Sequence, residues 1–253
     1  MFIDTHCHLD AVEFDTDRET VVATATAAGV ATIVVPAIER ANFGAVASVC
    51  REYPACVPAW GIHPLFVGRA HEGDLTALRS MLEENTAAAV GEIGLDFFVS
   101  EQDLQLQEHY FVEQLKLARE FDLPVILHVR RAIDTVLKNL RLHPVRGGIA
   151  HAFNGSRQQA DEFIKLGFKL GFGGVLTFPR ALRIRELAAT LPLTAIVLET
   201  DAPDIPPAWL DGKRNAPGEL PRIAAILAEL RGLDVADVAQ ATTANAEAVL
   251  RLG

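Results

Sequence analysis

Six side chains able to hold a divalent cation stand at the ends of short apolar runs spread through the chain. His6 and His8 follow Phe2-Ile3-Asp4-Thr5 and are two residues apart. On a strand that spacing puts both imidazoles on one face, with Asp4 one step deeper on that face and Cys7 turned the other way. Such a pair alone fits two ordinary strand-end histidines as well as half a metal site. The rest of the chain adds Glu92, His128, His151 and Asp201, each at the close of an apolar run. Four imidazoles and two carboxylates are enough ligands for two divalent ions, with Zn, Mg or Mn all compatible. A carboxylate can bridge two ions, and Glu92, between the first pair and the two later histidines, is the natural bridge. Two ions ~3.5–4 Å apart would lower the pKa of a bridging water, polarise a phosphoryl or carbonyl oxygen and stabilise the leaving oxygen. Asp201 would hold one ion and orient or deprotonate the water. Glu92 and Asp201 are therefore the catalytic candidates.

The elements that would position these groups alternate regularly. Strands are expected at 2–6, 31–36, 57–61, 88–93, 124–128, 148–151, 168–172 and 195–199. Helices are expected at 17–28, 41–52, 74–84, 102–121, 132–142, 158–166 and 180–190, with two more at 220–231 and 235–252. Eight strands each followed by a helix predict an α/β fold, a (β/α)8 TIM barrel formed as one domain over 1–253. An open doubly wound sheet is the main rival, but no glycine-rich dinucleotide fingerprint follows a strand. In a barrel the carboxyl ends of all strands meet at one rim, so the six candidates would converge there. The irregular stretch 203–221 becomes the loop after the last strand, beside that rim.

Composition narrows the partners. The formal charge is −10 and half the residues are hydrophobic, with an isoelectric point near 5.3. That argues against a broad basic face for duplex nucleic acid. A phosphate-bearing substrate stays open, because bound cations can locally reverse the sign of a pocket. Cys7, Cys50 and Cys56 are odd in number and lack zinc-ribbon spacing, which favours a reducing, cytoplasmic setting. No signal peptide or membrane-spanning run is evident, and neither is an obligate protein partner.

Other polar residues fall near the same rim. His63 can donate to a phosphate oxygen or pack as a strand-end imidazole. Arg130, two residues beyond His128, would share its face and could clamp a phosphate. Phe153 could stack a base, although an aromatic at a strand end is usually core, and Asn154 follows it into the loop. Asp4 and Glu199 are candidates to hold ligand histidines in place, and Asp96 can be a turn former or a site residue. Lys213 and Arg214 form the other compact basic pair near the rim.

The motifs carrying these residues resemble the TatD family of metal-dependent hydrolases. They are Phe2-Ile3-Asp4-Thr5-His6-Cys7-His8-Leu9-Asp10, Gly61-Ile62-His63-Pro64, Gly91-Glu92-Ile93-Gly94-Leu95-Asp96, Leu123-Pro124-Val125-Ile126-Leu127-His128, His151-Ala152-Phe153-Asn154-Gly155-Ser156 and Leu198-Glu199-Thr200-Asp201-Ala202-Pro203. They occur in family order and span nearly all of the chain. The resemblance implies one ion on His6, His8, Glu92 and Asp201 and a second on Glu92, His128 and His151. It implies a deoxyribonuclease, with 3′-to-5′ exonuclease action as in some members. In so acidic a chain recognition of nucleic acid would be local, a metal pair plus a few arginines, which predicts action on single strands or at ends. Related members are linked to aminoacyl-tRNA deacylation. Many relatives carry Asn-Glu-Pro after strand eight where this chain has Asn215-Ala216-Pro217, a change at the rim that leaves the ligands intact. Two other classes remain. One is an acyl or amide metallohydrolase, disfavoured because many such barrels bridge their metals with a lysine at strand four and this chain has Glu92. The other is a non-catalytic metal-binding protein.

Overall fold

The computed structural model describes residues 1–99 and 103–252. Among them, eight parallel strands form one sheet in sequence order: β1 (Phe2–Asp4), β2 (Val30–Pro36), β3 (Cys56–Trp60), β4 (Ala89–Asp96), β5 (Val125–Arg130), β6 (Gly148–Ala150), β7 (Phe168–Phe172) and β8 (Ile196–Leu198). The helices between them are α1 (Arg18–Ala27), α2 (Phe43–Glu52), α3 (Glu72–Glu84), α4 (Leu104–Glu120), α5 (Ile133–Leu142), α6 (Arg157–Lys165) and α7 (Leu182–Thr190), followed by α8 (Leu220–Arg231) and α9 (Val235–Val249). The expected start of the fourth helix at Gln102 lies outside the described residues. The sheet curls until its edges meet, which removes exposed strand edges. Closure comes from Thr5 N–H donating to Leu198 O at 3.1 Å, Asp201 N–H to His6 O at 2.8 Å and His8 N–H to Ala202 O at 2.8 Å. The result is the (β/α)8 TIM barrel that the alternation predicts.

Two apolar layers result. The larger lies between sheet and helices and includes Trp60, Phe111, Phe163 and Phe172. The smaller fills the barrel interior. It takes Ile3, Val34, Ala59, Ala89, Ile126, Ile149 and Val197, one from each strand except β7, and its amino-terminal end is plugged by Ala246 and Val249 of α9 with Leu250 just after it. Strand β7 contributes Gly171 at this level, and a Cβ there would stand 2.1 Å from Glu199 Oε2. The missing side chain makes room for a carboxylate. Above this apolar plug the inward positions turn polar. By two-residue alternation Ile126 leads to His128, Ile149 to His151 and Val197 to Glu199.

Strand β5 runs on to Arg130 rather than ending at residue 128, and two other strands depart in ways that move site residues. Strand β1 ends at Asp4 rather than residue 6, and Ile3, not Asp4, faces the interior plug. Strand β4 runs on to Asp96, and its register against β5 slips between Val90 and Ile93, where three steps on β4 match two on β5. An irregularity of this kind reverses which residues face inward. It turns Glu92 into the barrel on the strand that also sends Ala89 there. No helix among the described residues is long and apolar enough to cross a membrane.

Candidate metal centre

All six ligand candidates meet at the carboxyl end of the barrel, around Glu92. One Glu92 oxygen, Oε2, lies 3.2 Å from His6 Nε2 and 3.6 Å from His8 Nε2. The other, Oε1, lies 3.2 Å from His128 Nδ1 and 3.7 Å from His151 Nε2. Asp201 closes the first group, with Oδ1 3.5 Å from His6 Nε2 and 3.7 Å from His8 Nε2. Its other oxygen is 4.0 Å from His151 Nε2. The His6 and His151 rings stack with centroids 3.8 Å apart, which brings the two groups side by side. Glu92, His6 and His151 are buried, while His8 and Asp201 form a partly exposed lip.

The donor chemistry fits divalent ions. His6 Nε2 and His8 Nε2 face each other at 3.2 Å with two carboxylate oxygens beside them, four donor atoms converging on one point. His6 Nδ1 is buried with no hydrogen-bond partner, so the ring's polar engagement is through Nε2. Without an ion, protons must balance the carboxylates. Burial disfavours charge on His151, but the negative charges of Glu199, Asp201 and Glu92 outweigh it and raise its pKa to about 10. Burial likewise opposes ionisation of Glu92, and the surrounding imidazoles outweigh it, holding the carboxyl well below its usual range.

Outer carboxylates fix which nitrogen His151 and His128 present. His151 Nδ1 meets Glu199 Oε1 at 3.1 Å, and that oxygen also accepts Ala152 N–H. His128 is turned the other way. Its Nε2 meets Asp96 Oδ2 at 2.9 Å, leaving Nδ1 toward the centre. Asp96 is fully buried, and its second oxygen accepts Phe98 N–H at 2.8 Å and Val99 N–H at 3.2 Å. Burial pushes the Asp96 pKa up, but His128 and these N–H groups prevail and lower it to about 2. Asp96 thus serves as both turn former and histidine partner, two readings that its sequence position left open.

Asp4 departs from its expected role. Its carboxylate holds the backbone of the last strand's end, not an imidazole. It accepts Thr200 N–H at 2.9 Å and meets Thr200 Oγ1 at 2.6 Å, and His6 N–H reaches it at 3.3 Å. His63 joins the centre, with Nε2 3.6 Å from Glu92 Oε1. Its Nδ1 accepts Leu65 N–H at 3.1 Å, so the ring proton sits on Nε2. Burial lowers the His63 pKa to about 3, leaving a neutral ring that presents an N–H.

Phe153 does not face solvent. It is 5% exposed and packs edge-on against Phe163 at 5.9 Å, so the apolar core claims the ring that base stacking would need. Asn154 is exposed on the rim, its side-chain oxygen accepting from Arg183. Arg130 is exposed at the end of β5 and lies over the Phe98 ring. Arg214 is bound to the fold, pairing with both oxygens of Asp17 at 2.9 and 2.6 Å, while Lys213 is exposed. Asn215 is buried and donates to Thr200 O at 2.8 Å and Asp204 O at 3.0 Å, folding the loop after β8 back under the rim.

The chain as a whole is similar to known proteins. A model of the TatD related DNase family matches residues 3–251. The uncharacterized metal-dependent hydrolase YjjV of Escherichia coli K12 is 43% identical, over 96% of this chain and 95% of its own. The 3′-5′ ssDNA/RNA exonuclease TatD of Cronobacter sakazakii is 35% identical over 96% of this chain and 95% of its own. The crystal structure of YjjV, a TatD homolog, superposes with a TM-score of 0.96 at 42% identity, covering 100% of this chain and 98% of that one. The chain belongs to the family of TatD-related DNases and is a metal-dependent hydrolase.

Proposed function

We propose that the protein hydrolyses phosphodiester bonds of single-stranded nucleic acid from an end, as a 3′-to-5′ deoxyribonuclease, with two divalent ions of the Zn, Mg or Mn class. The observation that carries this reading is the division of Glu92, whose two oxygens face two different sets of imidazole nitrogens. His6, His8, Glu92 and Asp201 would hold one ion, and Glu92, His128 and His151 the other. Bound there, the ions would supply an acidified water and an electrophilic hold on the phosphoryl group.

The chain's own residues do the rest. Asp201, on the partly exposed lip, orients the attacking water and takes its proton. His63 offers an Nε2–H to a non-bridging phosphate oxygen, and its neutrality keeps the proton in place for that donation. Glu199 and Asp96 hold His151 and His128 in orientation. Asn154 lines the lip on the β6 side. The acidic surface favours recognition of a local segment over a long duplex. The cysteines, all free, suit a reducing compartment such as the cytoplasm.

The test is a 3′- or 5′-labelled single strand incubated with protein carrying Mg, Mn, Zn or no metal. Stepwise shortening from the 3′ end is expected with metal, and Asp201→Asn should lower the rate about 10²–10⁴-fold. Turnover confined to an ester and amide panel would instead assign an acyl hydrolase.

A further inference from the structure

Among the described residues, seven arginine guanidiniums lie over aromatic rings, and the use of their N–H edges separates them. Four are bound to carboxylates, as Arg214 is to Asp17. Arg180, Arg130 and Arg131 are not; Arg180 lies alone over Phe178 at 5.4 Å, whereas Arg130 and Arg131 share one ring beside the candidate metal centre. Both lie over the same ring, Phe98, with the guanidinium carbons 3.7 and 4.5 Å from its centroid. Neither forms an ion pair or side-chain hydrogen bond among the described residues. Stacking engages the flat face of a guanidinium and leaves its in-plane donors available. Two cations whose donors have no partner among the described residues stand out in a chain of net charge −10.

Their place is fixed relative to the metal centre. Arg130 ends β5 two residues beyond His128, on the same side of the strand and ~7 Å farther out. It pairs in register with Asp96, and Phe97 N–H donates to its carbonyl at 2.8 Å. Asp96 also accepts Phe98 N–H while holding His128. One buried carboxylate therefore ties the Phe98 stack and a candidate ligand together. The Phe98 ring is 44% exposed, with the two guanidiniums over it.

We propose that Phe98, Arg130 and Arg131 form a binding platform for a second phosphate of the strand, next to the one being hydrolysed. This rests on the phosphodiesterase reading above. The ring holds both guanidiniums in place before substrate arrives, which lowers the ordering cost of binding. Their free edges then grip a phosphate through paired N–H···O bonds. The platform selects substrates with at least two phosphates and draws the strand across the β4–β5 side of the mouth.

The test compares a labelled five-nucleotide single strand with bis(4-nitrophenyl) phosphate, which carries one phosphate. With Mn present, the ratio of kcat/KM for the strand over the diester should fall at least tenfold in the double variant Arg130→Gln/Arg131→Gln, mainly through KM. Phe98→Ala should lower the same ratio with both charges kept. Binding of the strand to Asp201→Asn protein, read by fluorescence anisotropy, should lose about 0.7 from its log–log salt slope when both arginines are replaced, one phosphate's share. An unchanged ratio with an unchanged salt slope overturns the platform and leaves the phosphodiesterase intact. If wild-type protein turns over neither substrate, the phosphodiesterase reading fails, and the binding measurement alone decides the platform.

Discussion

His128 shows how much of this site depends on which nitrogen faces where. Its Nδ1 points to Glu92 at 3.2 Å because Nε2 is taken by Asp96 at 2.9 Å. Burial lowers its pKa, but Asp96 and Glu92 outweigh burial and raise it. Removing the Asp96 charge should free the ring to rotate and weaken the ion that His128 would hold under the proposed assignment. Asp96→Asn is expected to lower affinity for one of two ions about 10–100-fold and to leave the ion on His6 and His8 nearly untouched. Calorimetric titration of metal-free protein reads both sites. Equal affinities in variant and wild type would show that Asp96 serves only its turn.

Strand β1 is three residues long, and Asp4 adds side-chain hydrogen bonds to the backbone bonds that join its end to the end of β8. Asp4→Ala leaves Thr200 N–H without its partner in a buried place, at a cost of about 1–3 kcal/mol. Asp4→Asn can still accept from Thr200 N–H and should cost less. Burial raises the Asp4 pKa to about 7 against the opposing Thr200 hydrogen bonds, with Glu199 adding to the rise. Its unfolded pKa is about 3.9, so the folded protein holds this proton more tightly. That contribution is fully present below about pH 4 and is lost as pH rises through about 7. In metal-free protein, wild type should therefore lose stability relative to Asp4→Asn between pH 4 and 7. Chemical denaturation across that range checks it, and a constant difference would contradict it. Strand β4 acts by shape. Gly94, at φ +142°, has no room for a Cβ, which would stand 2.0 Å from His128 O. Its close approach to β5 keeps the register that follows the slip at Glu92.

The barrel gathers so many ionisable groups at one rim that folding, protonation and metal binding are linked. His151 has a folded pKa of about 10, raised above its unfolded value. In metal-free protein its charged form therefore adds stability that is full below about pH 6.5 and lost as pH rises through about 10. An ion on Nε2 must displace that proton, so metal binding should strengthen with pH and release protons. At a hundred times Kd, an ion binding only the folded state adds about 2.7 kcal/mol, about 5–10 °C in Tm for a chain of this length. The metal-induced Tm shift is expected to grow from pH 6 to 8. A shift that is flat over that range would remove His151 from the ligand set.

The order of strands and the place of the ligand candidates were legible in the chain because both are one-dimensional patterns. Apolar runs alternate with amphipathic stretches, and His128, His151 and Asp201 each sit where such a run stops. A parallel barrel then brings run ends together whatever the loops do. What could not be read there depends on contacts between residues far apart. The slip in β4 that turns Glu92 inward exists only against β5. The Asp96 hold on His128 and the Phe98 stack need side chains from two strands. Phe153 and Asn154 are neighbours in the sequence, yet packing against Phe163 buries one ring and leaves the other residue on the rim. Residue type and spacing fixed what chemistry was available. Packing between distant segments determined which atoms face the centre, and which two guanidiniums share the Phe98 ring.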